Sequence, residues 1–251
     1  MLKRSAPPIL SHLKDRQEAL NMSNKEIIGI IGAMEVETAG LVAEMTQTKT
    51  STVSGITFTQ GHLCGKEVVV ATCGVGKVFA AICAEAMILR FGVTALLNTG
   101  VAGGLSPMLE VGDVVVADEV VQHDMNTTAL GDPRGLLSGL NVIKIKTDAR
   151  LTKALCEATA KEELNGIVGT VASGDLFVSD AHVKEKLVRE FDAVACEMEG
   201  AAIGHVAFVN GVPFSVLRAI SDGGDGMEFS EFVGVAAKIS VAVTKEFLNS
   251  L

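Results

Sequence analysis

Three short stretches place acidic side chains where they could do chemistry. Glu35 and Glu37 follow the apolar run Ile27-Ile28-Gly29-Ile30-Ile31-Gly32. Glu197 and Glu199 follow Ala193-Val194-Ala195-Cys196, and Ser221-Asp222 follows Val216-Leu217-Arg218-Ala219-Ile220. An ionised carboxylate accepts two hydrogen bonds at once, which suits the vicinal hydroxyls of a sugar. A carboxyl group drawn partly out of water can also give or take a proton. Each acid has a plainer role as well. Glu35 and Glu37 fall in the first turn of a helix, where the dipole favours negative charge. Glu199 opens a helix and could cap it. Asp222 could cap the loop begun by Gly223-Gly224, a pair that lets the backbone turn sharply.

The remaining motifs exclude more than they assign. Gly74-Val75-Gly76-Lys77 lacks the spacing, and the Ser or Thr after Lys, of a phosphate-binding P-loop. Gly100-Val101-Ala102-Gly103-Gly104 does not match the dinucleotide fingerprint, so its expected use is close approach of backbone to a ligand. Flavin and nicotinamide chemistry is disfavoured accordingly. Ser, His and Asp all occur, but no nucleophile elbow does. The five histidines are scattered, and the five cysteines include no pair at zinc-type spacing. The expectation is therefore no metal, no cofactor, and reduced thiols of a cytoplasmic protein.

These acids need a scaffold that delivers them to one place. Short apolar runs alternate with helical patterns. Strands are expected at 26 to 32, 53 to 62, 66 to 73, 94 to 99, 113 to 122, 167 to 172, 193 to 196 and 213 to 220. Helices are expected at 35 to 46, 78 to 90, 148 to 162, 180 to 190, 199 to 209 and 228 to 249. Residues 100 to 104 read as a Gly-rich loop. Residues 123 to 147 read as a long irregular segment of the kind that often covers a site. The alternation predicts an α/β fold, one domain with a mixed, mainly parallel twisted sheet flanked by helices. In such sheets ligands bind beyond the carboxyl ends of the strands, where these acids fall. Residues 22 to 251 make up this domain, and residues 1 to 21 read as a disordered extension.

Totals narrow the partners. The chain has 251 residues, 48% of them hydrophobic, with no Trp or Tyr, and a formal net charge of -9. That balance argues against nucleic acid or an anionic membrane as partner, but not against an uncharged small molecule. Mean hydropathy is high at +0.40. The two longest stretches without Asp, Glu, Lys or Arg, 91 to 109 (once past Arg90) and the 200 to 217 run, are interrupted by Gly and Pro and read as buried elements rather than membrane spans.

Seven stretches, in order from about residue 27 to the C-terminus, carry a resemblance. They are Ile30 to Glu37, Gly74 to Lys77, Asn98 to Gly104, Val111 to Val116, Ser173 to Phe177, Glu197 to Ala202 and Arg218 to Asp222. Together the chain resembles the 5′-methylthioadenosine/S-adenosylhomocysteine nucleosidases of the purine nucleoside phosphorylase superfamily. The resemblance implies a homodimeric hydrolase that cleaves the N-glycosidic bond of 5′-methylthioadenosine, S-adenosylhomocysteine and 5′-deoxyadenosine. It implies that Glu37 activates water and that Asp222, helped by Ser221, acts as acid toward N7 of adenine. Glu199 would bind the ribose hydroxyls, with Met198 and Met34 near the sugar. Phe177 would stack on adenine, and the backbone of Val178 would read the base edge. Arg218 would lie near the water site, and Phe232 would line the 5′-substituent pocket. Two departures stand out. Val101 occupies a position where some members carry a Ser that touches the water, and residues 123 to 140 lack the aromatic residues some members place there. Phosphorolysis of a purine nucleoside and futalosine hydrolysis are the nearest alternatives. AMP cleavage would need a basic phosphate pocket that the sequence does not show. A nucleoside-binding protein without catalysis is a further alternative, disfavoured by the intact set of acids.

Overall fold

The computed structural model describes residues 26–251. The extension expected over residues 1 to 21 lies outside them. Among the described residues ten strands form one mixed sheet: β1 (Ile27–Gly32), β2 (Thr46–Val53), β3 (Ile56–Leu63), β4 (Lys66–Thr72), β5 (Ala95–Gly104), β6 (Val114–Gln122), β7 (Lys144–Lys146), β8 (Gly166–Ser173), β9 (Ala193–Glu197) and β10 (Phe214–Asp222). The helices are α1 (Glu35–Glu44), α2 (Lys77–Phe91), α3 (Ala149–Lys161), α4 (Ala181–Phe191), α5 (Gly200–Asn210) and α6 (Gly226–Ser250).

The central strands alternate between two buried faces, as a two-sided sheet requires. Ile28 and Ile30 of β1, Val68 and Val70 of β4, and Ala95 and Leu97 of β5 face Leu41 of α1, Leu151 and Leu155 of α3, and Val243 and Phe247 of α6. Ile31, Val69, Ala71 and Leu96 point the other way, toward Ala84 and Met87 of α2 and Ile203 and Ala207 of α5. Parallel pairing joins β1 to β4 and β5, β5 to β10, β6 to β8, and β8 to β9. β10 also runs antiparallel to β6, and β9 antiparallel to the end of β5. Strands β10, β6, β8, β9 and β5 therefore close into a ring, and the β1–β4–β3–β2 wing extends from β5.

Three expectations need correction. Thr46–Val53 forms an edge strand against β3, where the sequence predicts the end of a helix and a connection. Its residues are mostly exposed and polar, so no alternation marks it; backbone pairing to β3 holds it. Ser54 and Gly55, both at positive φ, make the two-residue turn into β3, and Cys64-Gly65 does the same before β4. The second correction concerns Gly100 to Gly104, which is strand rather than loop. Gly100, Val101 and Ala102 pair with Arg218, Ala219 and Ile220 of β10. Third, residues 123 to 147 contain a 3-10 turn at Thr128–Leu130 and the strand β7, and none of them lines the cavity described below.

Candidate active site

The carboxyl ends of β1, β5, β9 and β10 meet at one cavity of about 290 Å³. Met34 and Glu37 come from the turn after β1 and the start of α1. Val101 to Gly103 come from β5, Cys196 to Glu199 from the end of β9, and Ser221 and Asp222 from β10. Phe177 and Val178, in the loop after β8, and Phe229 of α6 add an apolar wall. Segments nearly two hundred residues apart thus share one mostly apolar, acid-bearing pocket.

Glu37 is the third residue of α1 and almost fully buried. Its Oε2 accepts the Ala33 and Met34 N–H groups at 2.7 and 2.9 Å, and Oε1 accepts the Val101 N–H at 3.0 Å. It therefore both caps its helix and lines the cavity. Glu35 is exposed and does neither. The space for this carboxylate exists because residue 100 is glycine: a Cβ there would fall 2.7 Å from the Glu37 carboxyl carbon and 2.6 Å from Arg218 Nη1.

At the head of α5 the capping role falls to Glu197. Its Oε2 accepts the Glu199 and Gly200 N–H groups at 3.0 and 2.8 Å. Its other oxygen takes the Ser173 hydroxyl, whose own oxygen accepts the Ala201 N–H at 2.7 Å. Glu199, although it occupies the N-cap position, makes no side-chain cap. Its carboxylate is free to face the cavity, where Oε1 accepts the Gly76 N–H at 2.9 Å. Burial pushes the Glu199 pKa up to about 7, reinforced by the neighbouring Glu197 and opposed by Arg218. Sequence reasoning gave Glu197 and Ser173 no separate role. The available signal was an acid three residues before Gly200, where α5 begins.

Arg218 lies beneath the cavity and does not line it. Its Nη2 bonds Glu197 Oε2 and Asn98 Oδ1, and stands 3.5 Å from Glu199 Oε2; Nη1 reaches the Val101 carbonyl at 3.3 Å. The guanidinium thus neutralises part of a buried acidic cluster. Burial works against its charge, and Glu197, Glu199 and Glu37 more than compensate, so its pKa is raised.

Asp222 ends β10 just past a register shift between Ile220 and Asp222, an irregularity of the kind that re-aims a side chain. Its Oδ2 accepts the Ser221 hydroxyl at 2.8 Å and Oδ1 the Gly224 N–H at 2.6 Å. Loop capping and cavity lining coincide here too. Across the cavity Phe177, partly exposed, meets Phe229 edge-on, with ring centroids 5.6 Å apart and planes at 78°. Met34, Met198 and buried Val178 line the same space.

Phe232 is not among the lining residues; Phe229 is. The sequence predicts α6 to begin at 228, but Asp225 caps it through the Met227 and Glu228 N–H groups and it begins at Gly226. Phe229, one turn before Phe232 on this helix, is the aromatic that reaches the cavity.

A mixed α/β sheet whose strand ends gather Glu37, Glu199 and Asp222 around an apolar pocket with an aromatic wall is the class that fold and site define. A family model described as the phosphorylase superfamily matches residues 27–249. A 5′-methylthioadenosine/S-adenosylhomocysteine nucleosidase of Shewanella pealeana is 38% identical over 229 residues, 89% of this chain and 99% of that protein. The solved S-adenosylhomocysteine nucleosidase of Streptococcus pyogenes, in complex with 5-methylthiotubericidin, superposes with a TM-score of 0.87 at 34% identity, covering 92% of this chain and 99% of that one. A futalosine hydrolase of Helicobacter pylori superposes at 0.86 with 36% identity, covering 90% and 98%. The chain belongs to the phosphorylase superfamily and, within it, to the family of the 5′-methylthioadenosine/S-adenosylhomocysteine nucleosidases.

Proposed function

We propose that the protein hydrolyses the N-glycosidic bond of 5′-methylthioadenosine and S-adenosylhomocysteine, and of 5′-deoxyadenosine, releasing adenine. The observation that carries this reading is the charge of the cavity wall. Among the described residues it presents Glu37, Glu197, Glu199 and Asp222 and no Lys, Arg or His side chain. Phosphate is a dianion that needs several cationic or hydroxyl donors. Arg218, the cation beneath the wall, is engaged by Glu197 and Asn98. Water is the nucleophile such a wall accepts.

Adenine leaves poorly as an anion and well once protonated at N7. Asp222, steadied by Ser221 and the Gly224 amide, supplies or relays that proton. The sugar then gains oxocarbenium character, as in other glycoside cleavages, and the acidic wall stabilises it. Glu37, fixed by three backbone donors, orients water and takes its proton. Glu199 accepts both ribose hydroxyls, with Met198 and Met34 against the sugar. Phe177 stacks on the base, the Val178 backbone reads its edge, and Phe229 borders the 5′-group. Arg218 acts from below, holding the glutamates in place. A directed test uses leaving-group chemistry. Asp222→Asn should lose roughly 10²- to 10⁴-fold in kcat on adenine nucleosides. It should lose little on a p-nitrophenyl riboside, whose leaving group needs no proton. Equal losses on both would remove the acid role.

The working unit is read as a cytoplasmic homodimer. In support, Val75, Val78, Phe79 and Ile82, around the start of α2, expose apolar surface. No described helix is long and apolar enough to cross a membrane. Sedimentation at assay concentration tests the dimer.

A further inference from the structure

Lys77 is unexplained by the chemistry above. It is the first residue of α2, an unfavourable place for a cation because the helix dipole presents its positive end there. A local conflict of this kind often marks a functional position. The charge is offset at the end of β6 and in the loop that follows it. Lys77 Nζ lies 2.6 Å from Asp124 Oδ1 and 3.4 Å from Gln122 Oε1. The Lys77 N–H donates to Asp175 Oδ1 at 2.8 Å, and the Asp175 N–H donates to Asp124 Oδ2 at 3.0 Å. Burial alone would raise the Asp124 pKa, but its bonds from Lys77 and Asp175 outweigh that and hold it below the ordinary value. A closed circuit therefore ties the turn after β4 to the loops after β6 and β8.

The circuit adjoins the sugar-facing carboxylate. Gly76, immediately before Lys77, has φ 103° and directs its N–H to Glu199 Oε1. That φ favours glycine, and a Cβ there would lie a tight 3.1 Å from Asp175 Oδ1. Glu199 is otherwise surrounded by charges: Glu197, Arg218 and Glu37. The Gly76 amide is the directional donor that fixes which way its oxygens point.

We propose that Lys77 is a positioning residue: by drawing the β4–α2 turn onto Asp124, whose other oxygen holds the Asp175 amide, its side chain aims the Gly76 amide at Glu199 and so sets the carboxylate that grips the ribose diol. The inference rests on the reading that Glu199 binds the diol.

The test compares 5′-methylthioadenosine with its 2′,3′-dideoxy counterpart, using wild type, Lys77→Met, Lys77→Arg and Asp124→Asn. Wild type should favour the ribonucleoside. Lys77→Met should lose roughly tenfold in kcat/KM on it, the scale of one weakened bond to a charged group. It should be unchanged on the dideoxy compound. The acid limb of its pH profile should move to higher pH, because the Gly76 amide favours ionised Glu199. Lys77→Arg should recover most of the loss and Asp124→Asn should reproduce it. These two carry the test if Lys77→Met does not fold. Equal losses on both substrates, or none, would overturn the role of Lys77 while leaving the diol reading intact. A wild type that does not distinguish the two substrates would overturn both.

Discussion

Glu199 Oε2 stands 3.5 Å from Arg218 Nη2, with both side chains almost wholly out of water. The pair is not a simple salt bridge, because Arg218 is bonded more closely to Glu197 and burial of Glu199 prevails. Folding therefore raises the Glu199 pKa from 4.5 to about 7. Between those values the folded protein holds a proton that the unfolded chain has released. Stability from this site is thus full at low pH, declines as pH rises through that window, and levels off above it. Glu199→Gln cannot titrate and should escape the decline. Its unfolding free energy relative to wild type should climb from acid to neutral pH, by a difference on the order of 1–3 kcal/mol. Thermal unfolding across that range checks it; a flat difference would contradict the assignment. Catalysis should run the opposite way, with wild-type kcat/KM falling below about pH 7, where Glu199 gains its proton.

Glu37→Gln should separate capping from chemistry. The amide can still accept from Ala33 and Met34 but turns its NH₂ toward the Val101 N–H, leaving a buried donor unpaired at a cost of roughly 1–3 kcal/mol. Turnover should fall further, by about 10²- to 10⁴-fold. Calorimetric binding of an adenine nucleoside alongside kcat checks it, with affinity expected to survive.

Gly100→Ala should be worse than its size suggests. The added methyl meets Glu37 and Arg218 together, and both are locked by other bonds. Overpacking of this kind typically costs about 1–3 kcal/mol. Displacement of the carboxylate should remove activity even where the protein still melts cooperatively. Near-normal turnover would show that Glu37 can move freely.

Phe229→Ala and Phe232→Ala make a matched pair one turn apart on α6. Phe229 lines the cavity, so its loss should raise KM for a substrate with an apolar 5′-group by roughly tenfold or more, the worth of a buried aromatic contact. Phe232→Ala should leave KM unchanged. Steady-state kinetics on both variants decides, and the reverse pattern would restore the assignment made from sequence.

The acids were legible because each ends an apolar run, and a strand buried on both faces has to stop where the chain turns polar. Their convergence followed from the α/β pattern. Which acid caps α5 was not legible: Glu197 and Glu199 are chemically equal and two residues apart, and only the turn geometry gives capping to one and the cavity to the other. β2 left no trace because an edge strand of Thr, Ser, Gln and Lys buries almost nothing. Closure of the ring through β5 and β10 depends on pairing across more than a hundred residues, which no local pattern encodes. The sequence points to a later start for α6 because its cap, Asp225, follows two glycines that read as loop.

The central claim is that water, not phosphate, replaces the purine. The direct measurement is adenine release from 5′-methylthioadenosine in phosphate-free buffer and again with added phosphate, with the sugar product identified by mass spectrometry. The account predicts equal rates and a free 5-methylthioribose in both. A rate that requires phosphate, with a sugar 1-phosphate as product, would contradict it.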